Sequence, residues 1–150
     1  MNVDAGCFND GVTGWGLVIR DHTGVVSLTV CKREEVELSP MLAKAVGLRW
    51  CLSVAKDLLI NKVVVESDAA TVVDCINGKA IMAAIDPIIQ DCCSILNMFK
   101  DIKVTAISRN QNFAHELVQM SKVVGSKNWV GTVPHQISHL LCNDSVSAVI

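Results

Sequence analysis

Three stretches of alternating apolar and polar residues follow one another before residue 33, and this spacing constrains the fold more than any other feature of the chain. Met1, Val3, Ala5 and Cys7 alternate with polar neighbours as far as Asn9-Asp10-Gly11. Trp15, Leu17 and Ile19 come next, and after Asp21-His22-Thr23-Gly24 a third run extends from Val25 to Lys32. A period of two is the repeat of a half-buried strand, and connections this short join antiparallel neighbours. The first part of the chain is therefore expected to be a three-stranded meander.

The period then changes. Ser39-Pro40 reads as a helix start, because the serine hydroxyl can accept from free backbone N–H groups and proline fits a first turn that needs no donor. Ala45, Leu48, Leu52, Ala55 and Leu59 recur every three or four residues and predict one apolar helix face. Val63, Val64 and Val65 form a short apolar run between Lys62 and Glu66-Ser67-Asp68, the pattern of a strand covered on both faces at the centre of a sheet. A helix is predicted from Ala69 to Ile76, stopping at Asn77-Gly78. Another opens at Asp86-Pro87 and carries Ile88, Ile89, Cys92, Ile95, Leu96 and Phe99. A fifth strand is predicted from Ile102 to Ser108, then a helix through Leu117, Val118 and Met120, and a tail with Trp129, Pro134 and Leu140. The order β-β-β-α-β-α-α-β-α describes a single α/β domain over residues 1–150. Its five-stranded mixed sheet has three antiparallel N-terminal strands and then parallel ones, the Val63–Val65 strand beside the first, with helices on both faces.

Composition narrows the class. The chain is 51% hydrophobic and 19% charged, which suits a packed globule rather than a disordered segment. No apolar run approaches the roughly 18 residues that span a bilayer, and the N-terminus lacks a secretory pattern, so an intracellular, soluble protein is expected. Cys7, Cys31, Cys51, Cys75, Cys92, Cys93 and Cys142 are scattered, odd in number and without a C-x-x-C pair, which predicts reduced thiols, mostly buried. A net charge of −2 gives no general attraction for a polyanion, so nucleic-acid binding would depend on a local basic patch.

Two aspartates carry the chemistry. Asp4 lies among strand residues that should pack, where an ionised side chain is expensive unless it meets a cation or a donor. Asp68 lies just past the Val63–Val65 strand, at the sheet edge where ligands of α/β proteins usually bind. If the first and fourth strands are neighbours, the carboxylates converge on a site suited to Mg²⁺, a hard ion that prefers oxygen ligands. The alternative gives Asp4 a lone hydrogen-bonding role and makes Asp68 a helix cap.

Several runs together resemble a ribonuclease H domain: Asn2-Val3-Asp4-Ala5, Gly14-Trp15-Gly16 to Arg20-Asp21, Ser39-Pro40 to Gly47-Leu48, Val64-Val65-Glu66-Ser67-Asp68, and Arg109-x-x-Asn112 with Ala114-His115-x-Leu117. They are most similar to the reverse-transcriptase-like group abundant in plants, which occurs in retroelement polyproteins and in free-standing host proteins. The stretch from Trp129 through Pro134 to Asp144 is similar to that group's ending, so the likeness covers nearly the whole chain. The resemblance implies an endonuclease that cuts the RNA strand of an RNA–DNA hybrid, with four carboxylates holding two Mg²⁺ ions. Asp4 and Asp68 match two of the four metal-binding positions. The helix position that should be glutamate is Lys44, and the last aspartate position is His115.

Lys44 could place its ammonium between Asp4 and Asp68, occupying the space of a metal, or extend into solvent and leave a weak two-carboxylate site. His115 is the milder departure, since a neutral imidazole can ligate metal, although Mg²⁺ prefers oxygen. The Asn112–Ala114 segment is also one residue shorter than the family pattern, which would turn His115 slightly. Glu34, Glu35 and Glu37 precede the helix cap and could substitute only if their loop folded back. Arg109 and Asn112 are the candidate nucleic-acid contacts. His135, His139 and Cys142 have a spacing open to zinc but no fourth ligand nearby, so a surface tail is the default. A cysteine nucleophile would need a positioned Cys–His pair, for which the sequence gives no specific sign.

Three functions follow from these readings. One is a ribonuclease H-type domain, catalytically impaired, binding RNA–DNA hybrid or single-stranded nucleic acid weakly. Another is an active Mg²⁺-dependent hybrid ribonuclease, and the third is a retroelement-derived structural or protein-interaction module.

Overall fold

The computed structural model describes residues 1–138. The meander is present as β1 (Asn2–Phe8), β2 (Val12–Arg20) and β3 (Val26–Glu34), paired antiparallel throughout with an irregularity between Ile19 and Arg20. Helix α1 (Pro40–Asp57) follows, then β4 (Lys62–Ser67), α2 (Ala70–Ile76), α3 (Asp86–Leu96), β5 (Asp101–Ala106), α4 (His115–Val124) and β6 (Lys127–Val130). Short 3₁₀ turns occupy Arg109–Gln111 and His135–Ile137. The expected α/β class holds, with one more strand than the sequence pattern predicts: among the described residues the sheet has six, in the order β5-β4-β1-β2-β3-β6. The additional one is part of the predicted tail, where Lys127–Val130 pairs antiparallel with β3.

The capping signal of α1 works as its residues suggest. Pro40 stands at the first turn and the Ser39 hydroxyl accepts from the N–H of Leu42 at 3.3 Å. The helix buries Ala45, Leu48, Leu52 and Ala55, but it ends before Leu59, which is 83% exposed with φ of 57°. Helix α3 likewise stops at Leu96, short of Phe99.

Strand β2 faces two cores at once. Leu17 packs with Leu48, Leu52, Val65, Val72 and Ile85 beneath α1, α2 and α3, while Val18 packs with Phe113, Leu117 and Ile137 on the α4 side. Each fully buried leucine contributes about 2 kcal/mol through removal from water. Strand β4 departs from the expectation. It lies second from the sheet edge, and Val64 is 48% exposed because α4 covers β1, β2 and β3 but leaves that face of β4 open. The first four residues of β1, by contrast, are buried on both sides where half-burial was expected, and Asn2 and Asp4 lie among them. Among the described residues no helix is long and apolar enough to cross a membrane.

Candidate functional site

Register brings the two aspartates together. Strands β1 and β4 run parallel with Asn2 opposite Glu66, so Asp4 and Asp68, each two residues further on, stand level. Two close packings set the helices against this pair. The indole N–H of Trp15 donates to the carbonyl of Ala43 at 2.9 Å, and a Cβ on Gly47 would lie 2.8 Å from Trp15 Cδ1, so α1 approaches the sheet closely where Lys44 projects. On the other face, a Cβ on Gly16 would lie 2.5 Å from the Ala114 carbonyl and 2.7 Å from Leu117 Cβ, so the N-terminal turn of α4 rests directly on β2. This contact carries His115 to the site.

The resulting cluster is tightly paired. Lys44 Nζ donates to Asp68 Oδ1 at 2.7 Å and to Asp4 Oδ1 at 3.2 Å. Asp4 Oδ1 also accepts from the N–H of Ala5 at 2.8 Å, and Asp4 Oδ2 lies 2.9 Å from His115 Nδ1. A carboxylate oxygen accepts, so Nδ1 is the donor of this hydrogen bond. Arg109 Nε stands 3.7 Å from Asp68 Oδ2. The carboxylates are almost wholly enclosed, Asp4 at 1% and Asp68 at 6% side-chain exposure, whereas Lys44 is at 21% and Arg109 at 71%. Burial acts to lower the Lys44 pKa. The hydrogen bond to Asp68 and the charges of Asp4 and Asp68 together outweigh it and hold the ammonium above the ordinary lysine value.

A divalent metal does not fit this donor set. An ammonium has three donors and no lone pair, so Lys44 cannot be a ligand, and it fills the space between the carboxylates that an ion would need. Among the described residues no group of three or more His, Cys, Asp or Glu side chains is placed to hold a metal ion. Glu35 and Glu37 are exposed, and Glu34 pairs with Lys32 at 3.0 Å, so none of these carboxylates joins the Asp4–Asp68 cluster.

The two residues suggested for nucleic-acid contact have different fates. Arg109 is exposed and lines an open groove of about 1570 Å³ together with Arg20, His22, Lys62, Gln111 and His115, among the acidic side chains of Asp21, Glu66 and Glu116. Asn112 is buried at 4%, its amide donating to the Val3 carbonyl at 2.9 Å and its carbonyl oxygen accepting from the N–H of Ala114 at 3.1 Å. The Asn112 side chain therefore positions the start of α4 rather than facing solvent. Arg20 had no assigned role from sequence; its guanidinium donates to Asn2 Oδ1 at 2.9 Å and lies over the Phe113 ring. The Arg20-Asp21 pair at the end of the second strand was the available signal.

His135 is exposed, while His139 and Cys142 lie outside the described residues. Cys31, Cys51, Cys75 and Cys92 are buried free thiols, with Cys51 and Cys92 pushed up to about 12 by burial, Cys93 is partly buried, and Cys7 is exposed.

A mixed sheet of this order, with acidic residues level on its first strand and just past the end of its fourth, and helices closing over them from both faces, defines a ribonuclease H-like domain. The chain belongs to the reverse transcriptase-like family, whose sequence model matches residues 2–121. The N-terminal RNase H domain of rv2228c from Mycobacterium tuberculosis is similar in structure, with a TM-score of 0.70 at 20% identity over 79% of this chain and 88% of that one. RNase H1 from the halophilic archaeon Halobacterium salinarum NRC-1 gives 0.68 at 17% identity over 77% and 89%. LC11-RNase H1, solved in complex with an RNA/DNA hybrid, gives 0.68 at 20% identity over 78% and 91%. No curated protein matches the sequence.

Proposed function

We propose that this ribonuclease H-like domain binds RNA–DNA hybrid or single-stranded nucleic acid weakly and does not cut it by the two-metal route. The observation that carries the reading is the Lys44 ammonium, 2.7 Å from Asp68 and 3.2 Å from Asp4, standing between the carboxylates that would hold metal. With His115 hydrogen-bonded to Asp4 as well, two of the four positions that activate water and stabilise the leaving oxygen in two-metal hydrolysis lack a carboxylate. The groove beside the site offers Arg109 and Lys62 to phosphates, but Asp21, Glu66 and Glu116 are interspersed among them. Binding that rests on a few such contacts is modest and falls as salt rises, with a slope in log K of about 0.9 per phosphate neutralised on B-DNA and about 0.7 on single strands.

The test pairs a cleavage assay with a binding titration. A hybrid with labelled RNA, incubated with the full chain in Mg²⁺, is expected to stay intact while a salt-sensitive anisotropy shift reports binding. Cleavage that disappears in Asp68→Asn would overturn the proposal in favour of an active hybrid ribonuclease. Intact RNA with no binding at low salt would leave the structural or protein-interaction module instead.

A further inference from the structure

We infer that Lys44 is a tethered replacement for a metal ion, and that it makes phosphate binding at this site independent of divalent metal. The inference rests on the nucleic-acid binding proposed above. Two carboxylates as enclosed as Asp4 and Asp68 repel each other, and they repel a phosphate still more unless a cation lies between them. In a site made only of carboxylates, that cation must be taken from solution before a polyanion can approach. Here it arrives on α1, on the turn that the Trp15–Ala43 hydrogen bond and Gly47 hold against the sheet. Lys44 and Arg109 together bring the two aspartates to neutrality.

The ammonium also keeps a donor for a phosphate. Of its three N–H groups, one donates to Asp68 and one to Asp4, and with the side chain 21% exposed the third is left for a ligand. A metal ion would offer an open coordination position; Lys44 offers a charged donor. Because it is covalently attached, it is present at every metal concentration.

Two measurements on the full chain test this at matched ionic strength. The first is a thermal melt with and without Mg²⁺, in the absence of nucleic acid, for the parent, Lys44→Glu and Lys44→Gln. The parent Tm is expected to stay unchanged. Lys44→Glu creates a third carboxylate at the site, and metal about 100-fold above its dissociation constant should raise its Tm by roughly 5 to 10 °C. The second is anisotropy with an RNA–DNA hybrid in EDTA and in Mg²⁺. The parent Kd should agree between the two within about twofold, whereas Lys44→Glu should weaken at least about tenfold in EDTA and recover in Mg²⁺. If Lys44→Glu does not fold without metal, Lys44→Gln carries the binding test, since it removes the cation without adding a charge and should lose affinity in EDTA.

A parent Tm that rises with Mg²⁺ as much as that of Lys44→Glu overturns the replacement. Parent binding that vanishes in EDTA overturns metal independence while leaving nucleic-acid binding in place. A parent that binds hybrid in neither buffer overturns both the binding proposal and the phosphate role of Lys44, and the melts then decide separately whether the ammonium occupies the metal's place.

Discussion

Replacing Asn112 separates a residue that positions the site from one that touches nucleic acid. Strands β1 and β4 pair at Asn2 and Glu66, where the Met1 carbonyl accepts from the N–H of Glu66 at 2.8 Å. Val3 O, the next carbonyl on that side of β1, is taken by the Asn112 amide at 2.9 Å, and Asn112 Oδ1 holds the N–H of Ala114 at 3.1 Å. Asn112→Ala removes both bonds and strands one buried acceptor and one buried donor. With each of the two unmet groups costing about 1 to 3 kcal/mol, the loss centres on about 4 kcal/mol. At this chain length that corresponds to a fall in Tm of roughly 8 to 16 °C. Urea unfolding and a thermal melt measure it directly, and His115, three residues on, should lose its fixed approach to Asp4. A change below about 0.5 kcal/mol accompanied by weaker hybrid binding would refute the reasoning, because a surface contact behaves that way and a buried anchor does not.

Gly16→Ala would place a methyl group 2.5 Å from the Ala114 carbonyl, and the resulting displacement of α4 should destabilise the domain by about 1 to 3 kcal/mol; a parent-like urea midpoint would contradict so close a contact. The Lys44 pairing also has a defined pH signature. Its pKa is raised in the folded chain, so its contribution is complete below the unfolded lysine value of about 10.4 and is lost as pH rises through the higher folded value. The Tm difference between parent and Lys44→Gln should hold from neutral pH to about 10 and shrink only above it; a difference that faded between pH 7 and 9 would mean that the ammonium is not stabilised by the aspartates.

Local chemistry made much of this protein legible in its sequence. Alternation and two short turns specify the meander, Ser39-Pro40 starts α1, and Asp4 and Asp68 are readable as partners because one lies in, and the other just past the end of, strands predicted to run side by side. Even Lys44 can be placed from sequence, on a helix whose start is marked by its cap. Other features depend on what long-range packing leaves uncovered. Val64 belongs to the same apolar run as Val63 and Val65, yet it is exposed because α4 stops short of β4. The Lys127–Val130 segment is too short for its own pattern to mark a strand, and it becomes one because the edge of β3 offers hydrogen-bonding groups. Asn112 reads as a polar loop residue suited to a ligand, and only the open carbonyl of Val3 turns it inward. Periodicity and capping are written in neighbouring residues, whereas burial and the satisfaction of backbone polar groups depend on segments as far apart as Val3 and Asn112, which meet only in the folded chain.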